Sequence, residues 1–140
     1  MKKRKIGLVL IALCMLCAMS VTAMAATNEV QEKFSFELYG GGEKDVTPIA
    51  VKQDNANYAR IEFKYFSNPT GKPLLYRLRS VKPNYDPCSN LYTVNSVSTQ
   101  RPGYWAGYGI NGNEYVFRIQ TDSSTVDNNK QAVTYGIWVP

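Results

Sequence analysis

The chain contains no histidine. That absence removes the usual Ser-His-Asp and Cys-His nucleophilic relays, and with them the commonest metal ligand. Cysteine is almost as scarce. Cys14 and Cys17 read as a CxxC, yet both sit in an apolar leader that is expected to be cleaved, and each follows a leucine where a lipid-attachment signal wants glycine or alanine. Only Cys88 is then left. It can form no internal bridge, so it is either a free thiol or one half of a disulfide-linked dimer. A zinc site would have to be built from carboxylates alone. Neither GxGxxG nor GxxxxGK[ST] occurs, so no phosphate-cradling loop is visible. Long helical patterns, internal repeats and low-complexity tracts are missing as well.

The positive charge of the chain is mostly a property of its first residues. Lys2, Lys3, Arg4 and Lys5 precede an uncharged run from Ile6 to Ala18, and Ala23 and Ala25 flank Met24. A basic start, an apolar centre and a small-x-small end together read as a secretory signal peptide over residues 1–25. The apolar run is short for a bilayer, which needs roughly 20 predominantly apolar residues. The expected product is therefore a secreted, extracellular chain that starts at Ala26 or Thr27 and has no membrane span after cleavage. Four of the sixteen basic residues leave with the leader and none of the eleven acidic ones do, which leaves twelve against eleven. Binding to nucleic acid requires a surplus of lysine and arginine, so it is not expected.

About 115 residues then remain, enough for one domain with its own core. Ten tyrosines, five phenylalanines and two tryptophans favour pleated, half-buried surfaces. Residues 26–33 form a polar leader, and residues 34–140 form the domain. Phe34, Phe36 and Leu38 alternate with Ser35, Glu37 and Tyr39, the period of a half-buried strand, and three glycines end it. Asp45 to Gln53 is a weaker strand that Pro48 assigns to a sheet edge. In Tyr58 to Phe66 an apolar row of Ala59, Ile61, Phe63 and Tyr65 alternates with Arg60, Glu62 and Lys64. Pro73 to Lys82 puts Leu74, Tyr76, Leu78 and Ser80 on one face, and the SNPTGK turn before it suggests a hairpin. Leu91 to Thr99 reads as one polar strand. Glu114 to Asp122 aligns Tyr115, Phe117 and Ile119. Gln131 to Val139 alternates Val133, Tyr135, Ile137 and Val139 with Ala132, Thr134, Gly136 and Trp138. Seven to eight short strands at this spacing predict an all-β fold, an antiparallel β-sandwich.

Chemistry-bearing clusters are few. Glu37 and Glu62 could form a glycosidase-like pair only if they came within about 5–10 Å of each other, but both fall in wetted rows. Asp122, Asp127, Asn128 and Asn129 place oxygen atoms in one loop without EF-hand spacing, and turn formation accounts for them. No cofactor, metal or catalytic residue is expected. The outstanding stretch is RPGYWAGYGINGNEY, Arg101 to Tyr115. Tyr104, Trp105, Tyr108 and Tyr115 combine flat apolar faces with polar tips, as in recognition surfaces. The same stretch can be read as a hairpin turning at Asn111-Gly112 with Trp105 in the core. The two readings coexist if Trp105 points inward while Tyr104 and Tyr108 point out.

Phe34-Ser35-Phe36 near the start, Lys52-Gln53-Asp54 before Tyr58, and Gly136-Ile137-Trp138-Val139-Pro140 at the end span most of the domain. In these motifs the chain resembles small secreted proteins of unknown function from Gram-positive bacteria. The resemblance implies export and a β fold, and it extends to bacteriocin-like secreted proteins, which implies an antagonistic role. The expected function is a secreted, non-catalytic binding protein that holds a cell-surface glycan or protein through exposed aromatics. The alternative is a bacteriocin-like toxin or a signal between cells.

Overall fold

The computed structural model describes residues 31–124 and 129–140. The predicted signal peptide and most of the polar leader lie outside them. The described residues contain nine strands and no helix: β1 (Glu32–Tyr39), β2 (Lys44–Val46), β3 (Ala50–Val51), β4 (Arg60–Ser67), β5 (Leu74–Ser80), β6 (Tyr92–Val94), β7 (Ser98–Gln100), β8 (Glu114–Gln120) and β9 (Gln131–Val139). They form two antiparallel sheets. One runs β1-β9-β4-β7; the other runs β2-β8-β5-β6, with β3 also on β8. The fold is therefore an all-β sandwich.

The core is aromatic, and Phe117 stands at its centre. Rings of Phe34, Phe36, Phe63, Tyr76 and Trp138 lie 4.9, 5.5, 6.3, 6.2 and 5.7 Å from it, in edge-to-face arrangements. Phe34, Phe36, Phe63 and Trp138 come from one sheet, Phe117 and Tyr76 from the other, so these rings join the two layers. Burying one such side chain contributes about 1.5–3 kcal/mol. The alternation of β1 and β5 is realised, with Phe34, Phe36, Leu38, Leu74, Tyr76, Leu78 and Ser80 all buried.

Four expectations from the pattern are corrected by the fold. The first concerns β4 and β5, which are not a hairpin. β4 pairs with β9 and β7, and β5 pairs with β8 and β6, so the 68–73 turn carries the chain from one sheet to the other. Asn68 holds that turn: its side-chain oxygen accepts from the Thr70 amide at 3.2 Å, and its amide donates to the Lys72 carbonyl at 2.5 Å. The second concerns 91–99, which is two strands in different sheets, with the crossing at Asn95 to Val97.

The third concerns the edge strand, which Pro48 splits into β2 and β3. Both flank β8, and Thr47 closes the gap. Its amide donates to the Phe117 carbonyl at 3.0 Å, and its hydroxyl accepts from the Phe117 amide at 3.1 Å. The edge placement itself is as predicted. The fourth concerns the apolar row of β4, which stops at Phe63. A bulge at Lys64 shifts the register, so that Phe63 opposes Gly136 while Tyr65 opposes Tyr135. One extra residue swaps the two faces. Tyr65 goes to solvent and Phe66 turns toward the core.

Of the two rows in β9, the one with the smaller residues faces in. Ala132, Thr134, Gly136 and Trp138 are buried, and Tyr135 is exposed. Gly136 is required there. A Cβ at that position would sit 1.8 Å from the Glu62 carbonyl oxygen and 2.9 Å from the Phe34 ring.

Candidate functional site

Two aromatic surfaces result, one on the 101–113 loop and one on a sheet. The loop is pinned by short bridges rather than folded as a hairpin. Gly103 pairs with Tyr58, and Tyr104 pairs with Ser89. The Trp105 amide donates to the Cys88 carbonyl at 2.8 Å. These contacts reverse the expected orientations. Tyr104 is 9% exposed and Tyr115 is fully buried, whereas Trp105 is 43% exposed. Tyr108 is partly buried against the core.

Tyr104 and Tyr115 therefore shape the loop from beneath. Their rings lie 4.8 Å apart. The Tyr115 hydroxyl accepts from the amides of Gly109 and Ile110 at 3.0 and 3.1 Å, which satisfies loop donors that have no ladder partner. Gly109, at φ +74°, lies so close under Tyr104 that a Cβ would come within 2.8 Å of its ring. Burial, with Cys88, Tyr115 and Asp54 nearby, raises the Tyr104 phenol well above its ordinary range. What the loop offers a partner is the Trp105 ring, held in place by its Nε1–H donating to Asn90 Oδ1 at 3.0 Å.

A buried cation lies behind this loop. Lys52 has no exposed side-chain surface. Its ammonium meets Asp54 Oδ1 at 2.6 Å, the Pro140 main-chain oxygen at 3.0 Å and the Tyr58 carbonyl at 3.4 Å, and it stands 5.3 Å from the centre of the Tyr104 ring. Three oxygen acceptors and an aromatic face complete the environment a buried ammonium needs. Lys52 ties β3 to the end of β9 and to the start of β4.

The sheet surface was not anticipated. On the outer face of the four-stranded sheet, Tyr65 and Tyr135 stack across neighbouring strands, with centroids 5.0 Å apart and planes within 4°. They are 42% and 47% exposed. One face of Tyr135 is covered by Tyr65. Its other side looks toward β1, where the cross-strand neighbour is only Ser35. A shallow groove of about 470 Å³ opens there, with Tyr135 as wall, Ser35, Gly136 and Ile137 as floor, and Lys33 and Lys64 at its margins. The bulge at Lys64 creates this feature. The sequence did carry a signal, since Tyr65 and Phe66 are adjacent in a strand and cannot share a face.

The remaining expectations are placed as follows. Cys88 has no exposed surface, and desolvation pushes its thiol up to about 12 against the opposing pull of Arg79. A disulfide to a second chain would require this loop to open. Glu37 accepts from Gln131 at 3.0 Å, and Glu62 faces Arg60 at 3.4 Å and Lys64 at 3.9 Å, so both carboxylates have ordinary surface partners. Asp122 accepts from the amide and hydroxyl of Ser124, which hold its carboxyl below the usual range. Asp127 and Asn128 lie outside the described residues. Among the described residues, no group of three or more histidine, cysteine, aspartate or glutamate side chains is placed to hold a metal ion, and no helix is long and apolar enough to cross a membrane. Comparison with known proteins returns no matching family model, no matching curated protein and no matching solved structure.

Proposed function

We propose that this chain is an exported, non-catalytic β-sandwich that binds a cell-surface glycan through aromatic rings on its surface. The observation that carries this reading is the exposed Tyr65–Tyr135 stack beside the groove over Ser35 and Gly136. A sugar ring has an apolar face that packs on an aromatic wall, and its hydroxyls seek polar neighbours at the rim. Tyr135 supplies such a wall in a fixed orientation, because Tyr65 supports it from behind. Ser35 and Lys64 supply donors. The lining contains no carboxylate pair, and the chain has no imidazole, which favours holding over turnover. Export rests on the signal-peptide pattern of residues 1–25.

The test is retention of purified protein on insoluble cell-wall polysaccharide. Tyr135→Ala should lower the affinity about tenfold or more, equivalent to about 1.4 kcal/mol, with an unchanged circular-dichroism spectrum. Trp105→Ala should have little effect. Loss with Trp105→Ala and none with Tyr135→Ala would move binding to the loop. Retention unaffected by either substitution would defeat the reading.

A further inference from the structure

Among the described residues, β1 stands at the edge of its sheet and is paired on one side, with β9. In an antiparallel ladder, the amide and carbonyl of one residue point to the same side, and alternate residues point to opposite sides. The Tyr39 amide donates to a Glu43 carboxylate oxygen, and the Tyr39 carbonyl accepts from the Thr121 hydroxyl at 2.8 Å. Neither partner belongs to β9, so Tyr39 points its backbone away from that strand. By the alternation, Glu37, Ser35 and Lys33 do the same. Tyr39 is therefore capped within the chain, while Lys33, Ser35 and Glu37 present amides and carbonyls along an edge that no other described residue covers.

The side chains of these three residues are exposed on the outer face. Their order is Lys, Ser, Glu, which is charge-complementary to itself when reversed. We propose that this edge is a self-association surface, on which a second copy of the chain adds its own β1 antiparallel about a two-fold axis at Ser35. In that register Ser35 faces the partner's Ser35, Lys33 faces the partner's Glu37, and Glu37 faces the partner's Lys33. Every open amide and carbonyl of the three residues gains a partner, and two ion pairs form across the axis. A slip of two residues in either direction loses both ion pairs, so the edge is selective as well as sticky. An edge lysine is commonly a guard against strand addition. Here it guards against every register except the symmetric one, and symmetric pairing of one patch with itself is how two-fold dimers are built.

The experiment is sedimentation equilibrium of the purified protein over a range of concentrations, with spectra to verify folding. The wild type should show a monomer–dimer equilibrium. Lys33→Glu and Glu37→Lys each oppose like charges twice, and each should weaken the dimer at least tenfold. The double variant Lys33→Glu with Glu37→Lys restores complementarity and should recover dimerisation. A Ser35→Cys variant should cross-link to itself under mild oxidation, because hydrogen-bonded antiparallel pairs bring Cα atoms to about 5.5 Å, within disulfide range. A wild type that stays monomeric to millimolar concentration would overturn the proposal, as would a double variant no better than the single ones. Glycan retention by Tyr135 is measured separately, so failure of one reading leaves the other standing.

Discussion

Lys52 shows how one side chain can organise a fold whose described residues hold no disulfide. Its ammonium is fully buried and joins the nearby Asp54 carboxylate and Tyr58 main-chain oxygen to the main-chain oxygen of Pro140, 88 residues away in sequence. The short Lys52-Gln53-Asp54 motif is thus an ion pair built locally and used globally. Replacing it by methionine keeps the length and removes every donor. Asp54 is partly exposed and can turn to water, and the Tyr58 carbonyl is only part-buried, but the Pro140 oxygen is buried and would be left without its donor. Each unsatisfied buried group costs about 1–3 kcal/mol, so Lys52→Met should lose about 2–4 kcal/mol, measured by urea denaturation. A loss under about 0.5 kcal/mol, the range of ordinary surface substitutions, would show that the site is not needed. Nothing in the pattern around Lys52 announced its burial. Lysine is almost never fully buried without a partner, and two of its oxygen acceptors come from Tyr58 and Pro140, outside the motif.

At the level of strands, legibility followed the number of faces exposed to water. β1 and β5 have one wet row and one dry row throughout, and period-two alternation was enough to orient them. β4 was readable as far as Phe63, because the bulge at Lys64 is fixed by its pairing with β9, and the adjacent Tyr65 and Phe66 show only that one of them faces out, not which. β9 carried two competing rows, and volume decided between them. Gly136 leaves room for the Phe34 ring and the Glu62 carbonyl, which a row with β-branched residues at that height would not. Gly136→Ala should therefore force β4 and β9 apart. Overpacking of this kind costs about 1–3 kcal/mol and sometimes more, and contact with a backbone atom places this case at the upper end. The expected result is a loss of about 3 kcal/mol in thermal or chemical unfolding. A fully stable Gly136→Ala protein would show that the two strands can separate without penalty. The aromatic loop was legible as composition but not as orientation. No period governs residues 101–113, and the inward turn of Tyr104 depends on Ser89, Asn57 and Gly109.

At the scale of the whole molecule, burial among the described residues shifts three acidic groups, Tyr76, Tyr104 and Cys88, toward holding their protons at high pH. Burial raises Tyr76 and Tyr104 well above the ordinary phenol range, and it brings Cys88 to about 12. In the unfolded chain, thiols titrate near 8.5 and phenols near 10. Below pH 8.5 all three are protonated in both states, so stability is flat on their account. As pH rises further, the unfolded chain releases protons that the folded chain retains, and stability falls by up to about 1.4 kcal/mol per unit for each group. The loss through Cys88 runs from about pH 8.5 to 12. The tyrosines add theirs from about pH 10. Denaturant midpoints across this range should begin to fall near pH 9 in the wild type, and only near pH 10 in Cys88→Ala. Identical onset in the two proteins would mean that the thiol ionises freely in the folded state.

The placement of β9 affects how the chain reaches this structure. It is the last strand in sequence, yet it lies between β1 and β4 in the middle of its sheet. A polypeptide made amino end first can pair β4 with β7 but cannot join β1 to them before β9 is made. β1 and β4, which carry Phe34, Phe36, Ile61 and Phe63, have no shared neighbour until β9 arrives. Closing such distant pairings is slow, so the four-stranded layer can close only after β9 has been made, well after β1 and β4.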